Sequence, residues 1–127
     1  MGLKSLLQGK QAEQRASRYL RKHGLVIVAQ NQRYKCGEID IIAKSAYSHI
    51  FVEVKYRGEN SRGESAEMVS RDKQLKLTRA AKLWLQENDP NFTFGCRFDV
   101  IAISPSKNAS NDEGIQWIKD AFAPELW

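Results

Sequence analysis

Hydrophobic and polar positions change their period several times along the chain, and each change marks an element. From about Leu3 to His23 the spacing is helical: at 100° per residue Gly9, Ala12, Ala16, Tyr19 and Leu20 fall on one face, and Gly24 supplies the stop. The small residues on that face predict a helix lying close against a sheet. Glu13 sits at the edge of the face, about 60° from its centre, and can look toward the sheet, whereas Arg15, Arg18, Arg21 and Lys22 lie further round. Leu25 to Ala29 is an apolar, β-branched run that predicts a buried first strand, followed by Asn31, Gln32 and Arg33. In residues 38 to 43, strand periodicity puts Glu38 and Asp40 on one face with Ile42, and Ile39 and Ile41 on the other. Lys44 to His49 reads as a polar connector and Ile50 to Tyr56 as the third strand.

Arg57 to Ser65 has two glycines and no apolar residue, which predicts a mobile loop able to fold down on a polymeric substrate. A second helix is expected from about Ala66 to Asn88, stopped by Asp89 and Pro90, with Leu77, Ala80, Ala81 and Trp84 as its core stripe. Arg79 and Lys82 lie on its solvated side. Lys73 projects within about 40° of Leu77, an unusual place for an ammonium group, and Gln74 flanks the stripe on the other side. Phe94 to Ser104 predicts a fourth strand carrying Arg97 and Asp99 among apolar residues, with Asp99 placed to cap or to pair with Arg97 or Arg33. Pro105 to Glu113 is a polar loop, Gly114 to Ile118 a last, shorter strand, and the tail from Lys119 carries Phe122, Leu126 and Trp127, apolar enough to pack or to meet a partner. The sum is an α/β protein with a mixed central sheet of four to five strands flanked by helices, in the order αβββαβ(β).

Composition narrows the class of partner. At 127 residues the chain fits one domain, 1–127, with one core. Twenty basic against 15 acidic residues give a formal charge of +5, which favours a polyanion such as nucleic acid. Cys36 and Cys96 have neither metal-type spacing nor the numbers of a disulfide framework, and are expected to pack passively in a reducing cytoplasm. No apolar run reaches the ~18 residues that cross a bilayer, so a soluble protein without a membrane partner is expected.

The stretch with the most chemistry is Gly37 to Lys55, GEIDIIAKSAYSHIFVEVK. Strand geometry puts Glu53 and Lys55 on one face, about 7 Å apart along the strand, and Val52 and Val54 on the other. If the two runs pair, Asp40 converges on the same spot from the neighbouring strand. Two carboxylates suit Mg²⁺ or Mn²⁺, which takes one or two protein carboxylates with several waters. A backbone carbonyl, most simply that of Val54, offers a further oxygen, and Lys55 can orient the attacking water and offset charge on phosphorus. A Glu-x-Lys on an amphipathic strand is commonly just a solvated face, worth under ~1 kcal/mol. Asp40 argues for more, because a carboxylate amid isoleucines is costly unless something uses it. Glu13 alone reads as a solvated helix glutamate, and the stem of Lys73 can snorkel along the core edge.

Four segments, GKQAEQRASRYLRKHG, NQRYKCGEIDIIA, FVEVKYR and RFDVIAI, in this order and at these separations, resemble the small bacterial YraN-like proteins, an uncharacterised family described as endonuclease-like. The resemblance spans nearly the whole chain. That family is similar in fold to the PD-(D/E)XK nucleases, above all to archaeal Holliday-junction resolvases, in which a glutamate from the first helix joins the Asp and the Glu-x-Lys. By matching position, the resemblance implies a restriction-endonuclease-like fold with Glu13, Asp40, Glu53 and Lys55 as catalytic residues and Asp40 and Glu53 as ligands of Mg²⁺ or Mn²⁺. Ile39 stands in place of the motif's proline, which leaves the ligands intact. The expected activity is hydrolysis of DNA phosphodiesters, with branched or junction DNA as the expected structural preference. Arg33, Arg57, Lys73, Gln74 and the basic first helix would contact the nucleic acid. A homodimer is expected by analogy with the resolvases. The rival reading is a non-catalytic nucleic-acid-binding protein that keeps the fold. A third, a structural or partner-binding protein, would use the apolar tail.

Overall fold

A computed structural model describes residues 3–56, 69–104 and 112–123, with side chains from residue 9 onward. Arg57 and the loop to Ser65, the stretch 66–68 at the expected start of the second helix, residues 105–111 and the tail residues Leu126 and Trp127 lie outside the described residues. The elements are α1 (Leu3–Lys22), β1 (Val26–Tyr34), β2 (Gly37–Lys44), β3 (Ser48–Tyr56), α2 (Arg71–Asn88), β4 (Gly95–Ile103) and β5 (Ile115–Phe122). The five strands form one sheet in the order β1-β2-β3-β4-β5. β1, β2 and β3 make an antiparallel meander, β3 and β4 run parallel, and β4 pairs antiparallel with β5. A parallel neighbour needs a long crossover, and α2 lies within it. This is the mixed α/β architecture expected from the pattern, with the optional fifth strand present.

The two faces of the sheet can be read along β3. Phe51 packs with Leu77, Ala81 and Trp84 of α2, whereas Ile50 and Val52 pack with Ala12, Ala16 and Leu20 of α1. One helix therefore covers each face. The small residues Ala12 and Ala16, 2% and 0% exposed, let α1 sit close to the sheet, but a side-chain carbon at Gly9 would meet nothing. α2 begins at Arg71, where the Ser70 hydroxyl accepts the N–H of Lys73 at 3.1 Å and caps the first turn. Val69 and Ser70 precede it outside the helix, Ser70 with φ −58° and ψ 153°, so the helix starts later than its apolar spacing suggests.

Three further expectations need correction. β1 is longer than Leu25–Ala29 and is not buried, because it is the edge of the sheet: Val26 and Val28 are 64% and 46% exposed, and its polar residues Gln32 and Arg33 pair with Ile39 and Glu38. β5 runs on through Lys119 to Phe122, whose ring stacks on Phe98 at 4.9 Å. Asp99, 1% exposed, ties that strand down by accepting from the Trp117 indole and the Asp120 N–H, both at 2.9 Å, and from Arg97 at 3.0 Å. The third correction matters most for function. Ile39 and Ile41 do not share a face: Ile39 packs with Ile42 on the α2 side, and Ile41 with Ala43 on the α1 side. Strict alternation therefore breaks around Asp40. Opposite it, the β1–β2 ladder passes over Asn31, whose φ of 51° is a left-handed conformation that Asn tolerates better than most residues.

Candidate metal and nucleic-acid site

The β2–β3 ladder explains how Asp40 is presented. Its pairs run from Lys44↔His49 to Ile41↔Val52, and the register would next bring Asp40 opposite Glu53. Instead of continuing the ladder, Asp40 Oδ2 accepts the backbone N–H of Val54 at 2.9 Å. A side chain thus replaces a strand partner, and the two strands part where both carboxylates sit. The N–H and C=O of one residue in an extended strand point to the same side. The Val54 carbonyl accordingly faces the same gap.

Each wall of the gap contributes acid or base. Glu53 lies on the α2 side, in phase with Phe51, and Lys73 of α2 places its Nζ 3.6 Å from Glu53 Oε1. Lys55, two residues further along β3, shares the face of Glu53 and is half-buried. From the opposite helix Glu13, also half-buried, reaches the centre through Asn31. With the Asn31 amide oriented so that its nitrogen faces the carboxylates, it donates to Glu13 Oε1 at 2.9 Å, Glu13 Oε2 at 3.1 Å and Glu38 Oε1 at 3.1 Å. The structure therefore brings together Glu13, Asp40, Glu53 and Lys73, with Lys55 on the face of Glu53.

Electrostatically the centre is short of positive charge. Burial pushes the Glu53 carboxyl up to about 8, and the neighbouring Asp40 pushes in the same direction, while Lys73 opposes it. Asp40 is also raised, first by burial, although the Val54 N–H and Lys73 favour its charged form. Glu13 is raised by burial and then by Asp40 and Glu38. With both carboxyls raised and Asp40 pushing Glu53 up, the pair holds near neutral pH a proton that two free carboxylates would release. One atom remains without a partner: Glu53 Oε2 is buried and accepts no hydrogen bond.

That orphaned oxygen is the test of fit for a divalent cation. A buried acceptor left unsatisfied is costly, and a carboxylate pair that must otherwise hold a proton is the donor set that a hard dication replaces it with. Among the described residues no three of His, Cys, Asp and Glu gather at one point. The protein therefore offers two carboxylates, Asp40 and Glu53, with the Val54 carbonyl facing the gap, a set that suits Mg²⁺ or Mn²⁺ with retained water.

The expected nucleic-acid contacts are spread differently. Arg33 is exposed and stands 3.7 Å from Glu38, beside an open pocket of 330 Å³ at the β1–β2 turn that Lys35 and Lys76 also line. Lys73 turns to Glu53, and Gln74 donates its amide to the Val69 carbonyl at 2.8 Å, bracing the chain before α2. Arg57 lies outside the described residues. Asn31 and Glu38 are the neighbours that sequence reasoning missed. Glu38 is legible as a second acid next to Asp40, but an asparagine in a polar strand end carries no signal until its backbone conformation is known.

Fold and centre together define a class: a five-stranded mixed sheet with a helix on each face, carrying a half-buried acidic centre where two strands part. The profile of the uncharacterised protein family UPF0102 matches residues 12–103. A UPF0102 protein of Shewanella pealeana is 42% identical over 115 residues, covering 91% of this chain and 95% of its own. One from Vibrio cholerae is 41% identical over 116 residues and 91% of each chain, and one from Nitrosococcus oceani 38% over 118 residues and 93% of each. The chain belongs to the UPF0102 family.

Proposed function

We propose that the protein is a metal-dependent nuclease that hydrolyses DNA phosphodiester bonds, with branched or junction DNA as the preferred form. The observation that carries this reading is the pairing of Asp40 and Glu53 at the strand split, with Glu53 Oε2 buried and unpartnered and Lys55 on the same face. Asp40 and Glu53 would hold Mg²⁺ or Mn²⁺, which when bound supplies Lewis-acid polarisation of a phosphoryl oxygen and a lowered water pKa. Lys55 orients the nucleophilic water and offsets charge building on phosphorus. Glu13, fixed by Asn31 and raised above its ordinary range by burial, takes a proton from that water or braces it. The +5 net charge supports a polyanionic substrate.

A second reading, a nucleic-acid-binding protein without turnover, is favoured by one contact: Lys73 already gives Glu53 an internal cation at 3.6 Å. Even with Lys73 beside them the Asp40 and Glu53 carboxyls stay raised, so that ammonium does not balance the pair, which is why catalysis is preferred. The experiment is to incubate purified protein with linear, flapped and four-way DNA in Mn²⁺, beside Glu53→Gln and Lys55→Ala. Cleavage that both substitutions abolish supports the nuclease, whereas binding without cleavage in every metal supports the second reading.

A further inference from the structure

A second feature lies one helical turn from the acidic centre, on the α1 side of the edge strand. Gln14, Ser17, Arg18 and Arg21 of α1 and Gln30 of β1 line an open groove of 290 Å³. Every side chain in it can donate a hydrogen bond, two carry a positive charge, and none carries a negative one. Ser17 is among the lining residues although only 2% exposed, and its buried hydroxyl has no hydrogen-bond partner. A buried hydroxyl left unsatisfied is unfavourable unless a ligand completes it. Among the described residues no carboxylate pairs with Arg18 or Arg21. Three positions apart on a helix, the two lie side by side, about 5–6 Å between their β-carbons, which lets two guanidinium forks close on one anion or on adjacent ones.

Both walls of the groove are built from elements that also supply the centre. On α1, Ser17 is one turn from Glu13 and about 40° from it around the axis. On β1, Gln30 precedes Asn31, the residue that holds Glu13 and Glu38. Arg18 and Arg21 are displaced from Glu13 by about 8 and 12 Å along the helix.

We propose that this groove binds the phosphodiester backbone of the DNA strand beyond the scissile region. The proposal rests on the nuclease reading for its substrate, but its measurement is binding. Guanidinium forks, amide N–H groups and a hydroxyl match phosphate oxygens. The groove also holds the volume of about ten waters, enough for a phosphate group with part of its hydration. It is a positioning surface: it touches no reacting atom and fixes the register of the strand that runs past Glu13.

The test measures affinity for a short four-way DNA by fluorescence anisotropy, without divalent metal, in a Glu53→Gln background so that turnover plays no part. Arg18→Ala/Arg21→Ala should bind roughly ten- to thirtyfold more weakly and lower the slope of log K against log salt by about 2, one unit per phosphate contact. Arg79→Ala/Lys82→Ala, the same charge change on the exposed face of α2, should cost less than about threefold. Ser17→Ala should bind roughly three- to tenfold more weakly while melting no lower than its parent, a split that a merely structural serine would not give. Equal losses in the two double variants, an unchanged Arg18→Ala/Arg21→Ala, or no DNA binding by the parent would each overturn the proposal. So would a groove that takes only a free anion, seen as stabilisation by inorganic phosphate that needs Arg18 and Arg21 with DNA affinity unmoved. The two readings fail separately. Loss of binding in the double variant without any cleavage by wild type sinks the nuclease and leaves the groove, whereas cleavage and binding untouched by the double variant do the reverse.

Discussion

Replacing Glu53 by Gln should make the metal-free protein more stable in alkaline solution. In the folded chain the Glu53 carboxyl is pushed from its ordinary 4.5 up to about 8 by burial and by Asp40. Folding therefore holds a proton that the unfolded chain releases, and stability is fully present below about pH 4.5, declines as pH rises, and levels off above about 8. At about 1.4 kcal/mol per tenfold change in proton affinity, the full loss has a ceiling of about 5 kcal/mol. For a chain of this size that is on the order of 10–20 °C in melting temperature. The amide that replaces the Glu53 carboxyl cannot ionise and can donate to Asp40, so the variant should show little of this decline. The assay is thermal denaturation in EDTA across about pH 5 to 9, followed by circular dichroism. Wild type should melt progressively lower as pH rises, and the two curves should cross, with Glu53→Gln the more stable protein by pH 9. Parallel curves, or a variant less stable than wild type at pH 9, would refute the picture of two buried carboxyls sharing a proton.

Asp99→Ala should destabilise by roughly 3–5 kcal/mol in urea denaturation, because it strands Arg97, the Trp117 indole and the Asp120 N–H at a site only 1% exposed. A cost under about 1 kcal/mol would show that these partners find water. Gly37→Ala should cost about 1–2 kcal/mol, since the added carbon would lie 3.1 Å from the Lys76 carbonyl oxygen and 3.2 Å from Lys76 Cβ, pressing the hairpin against α2. An unchanged midpoint in the same titration would mean that α2 yields freely. Asp89 accepts from the N–H groups of Thr93 and Phe94 and lies 3.1 Å from His49 Nε2, which hold its carboxylate well below the usual range. Its contribution is present above the ordinary carboxylate range and fades as pH falls through and below it, so Asp89→Asn should melt with a shallower dependence on pH between about 2 and 5. Identical acid slopes would remove Asp89 from the account.

Elements whose period is long and unbroken are legible from the chain alone. α1 and α2 follow from the spacing of Ala12, Ala16 and Leu20 and of Leu77, Ala81 and Trp84, and β3 from the alternation through Glu53 and Lys55. The breaks are not legible. Periodicity assumes a regular backbone and so misplaces Ile39, because the irregularity at Asn31 opposite Asp40 depends on tertiary context. Leu25 to Ala29 reads as buried because composition does not say which strand becomes an edge. Within the site, the convergence of Asp40 with Glu53 and Lys55 is legible from the alternation of two neighbouring strands. The strand split, the Val54 N–H on Asp40, the clamp of Asn31 on Glu13 and the approach of Lys73 to Glu53 are products of the fold. So is the placing of Ser17 and Gln30 on the walls of one α1–β1 groove, which no spacing rule could have joined.

The most direct test of the centre is calorimetric titration of the protein with Mn²⁺ near pH 7 in two buffers of different ionisation enthalpy. Wild type should bind one ion and release close to one proton, the one that Asp40 and Glu53 share in the absence of metal. Asp40→Asn and Glu53→Gln should lose that binding. Tight binding that survives both substitutions, or binding by wild type that releases no proton, would contradict a cation site built on Asp40 and Glu53.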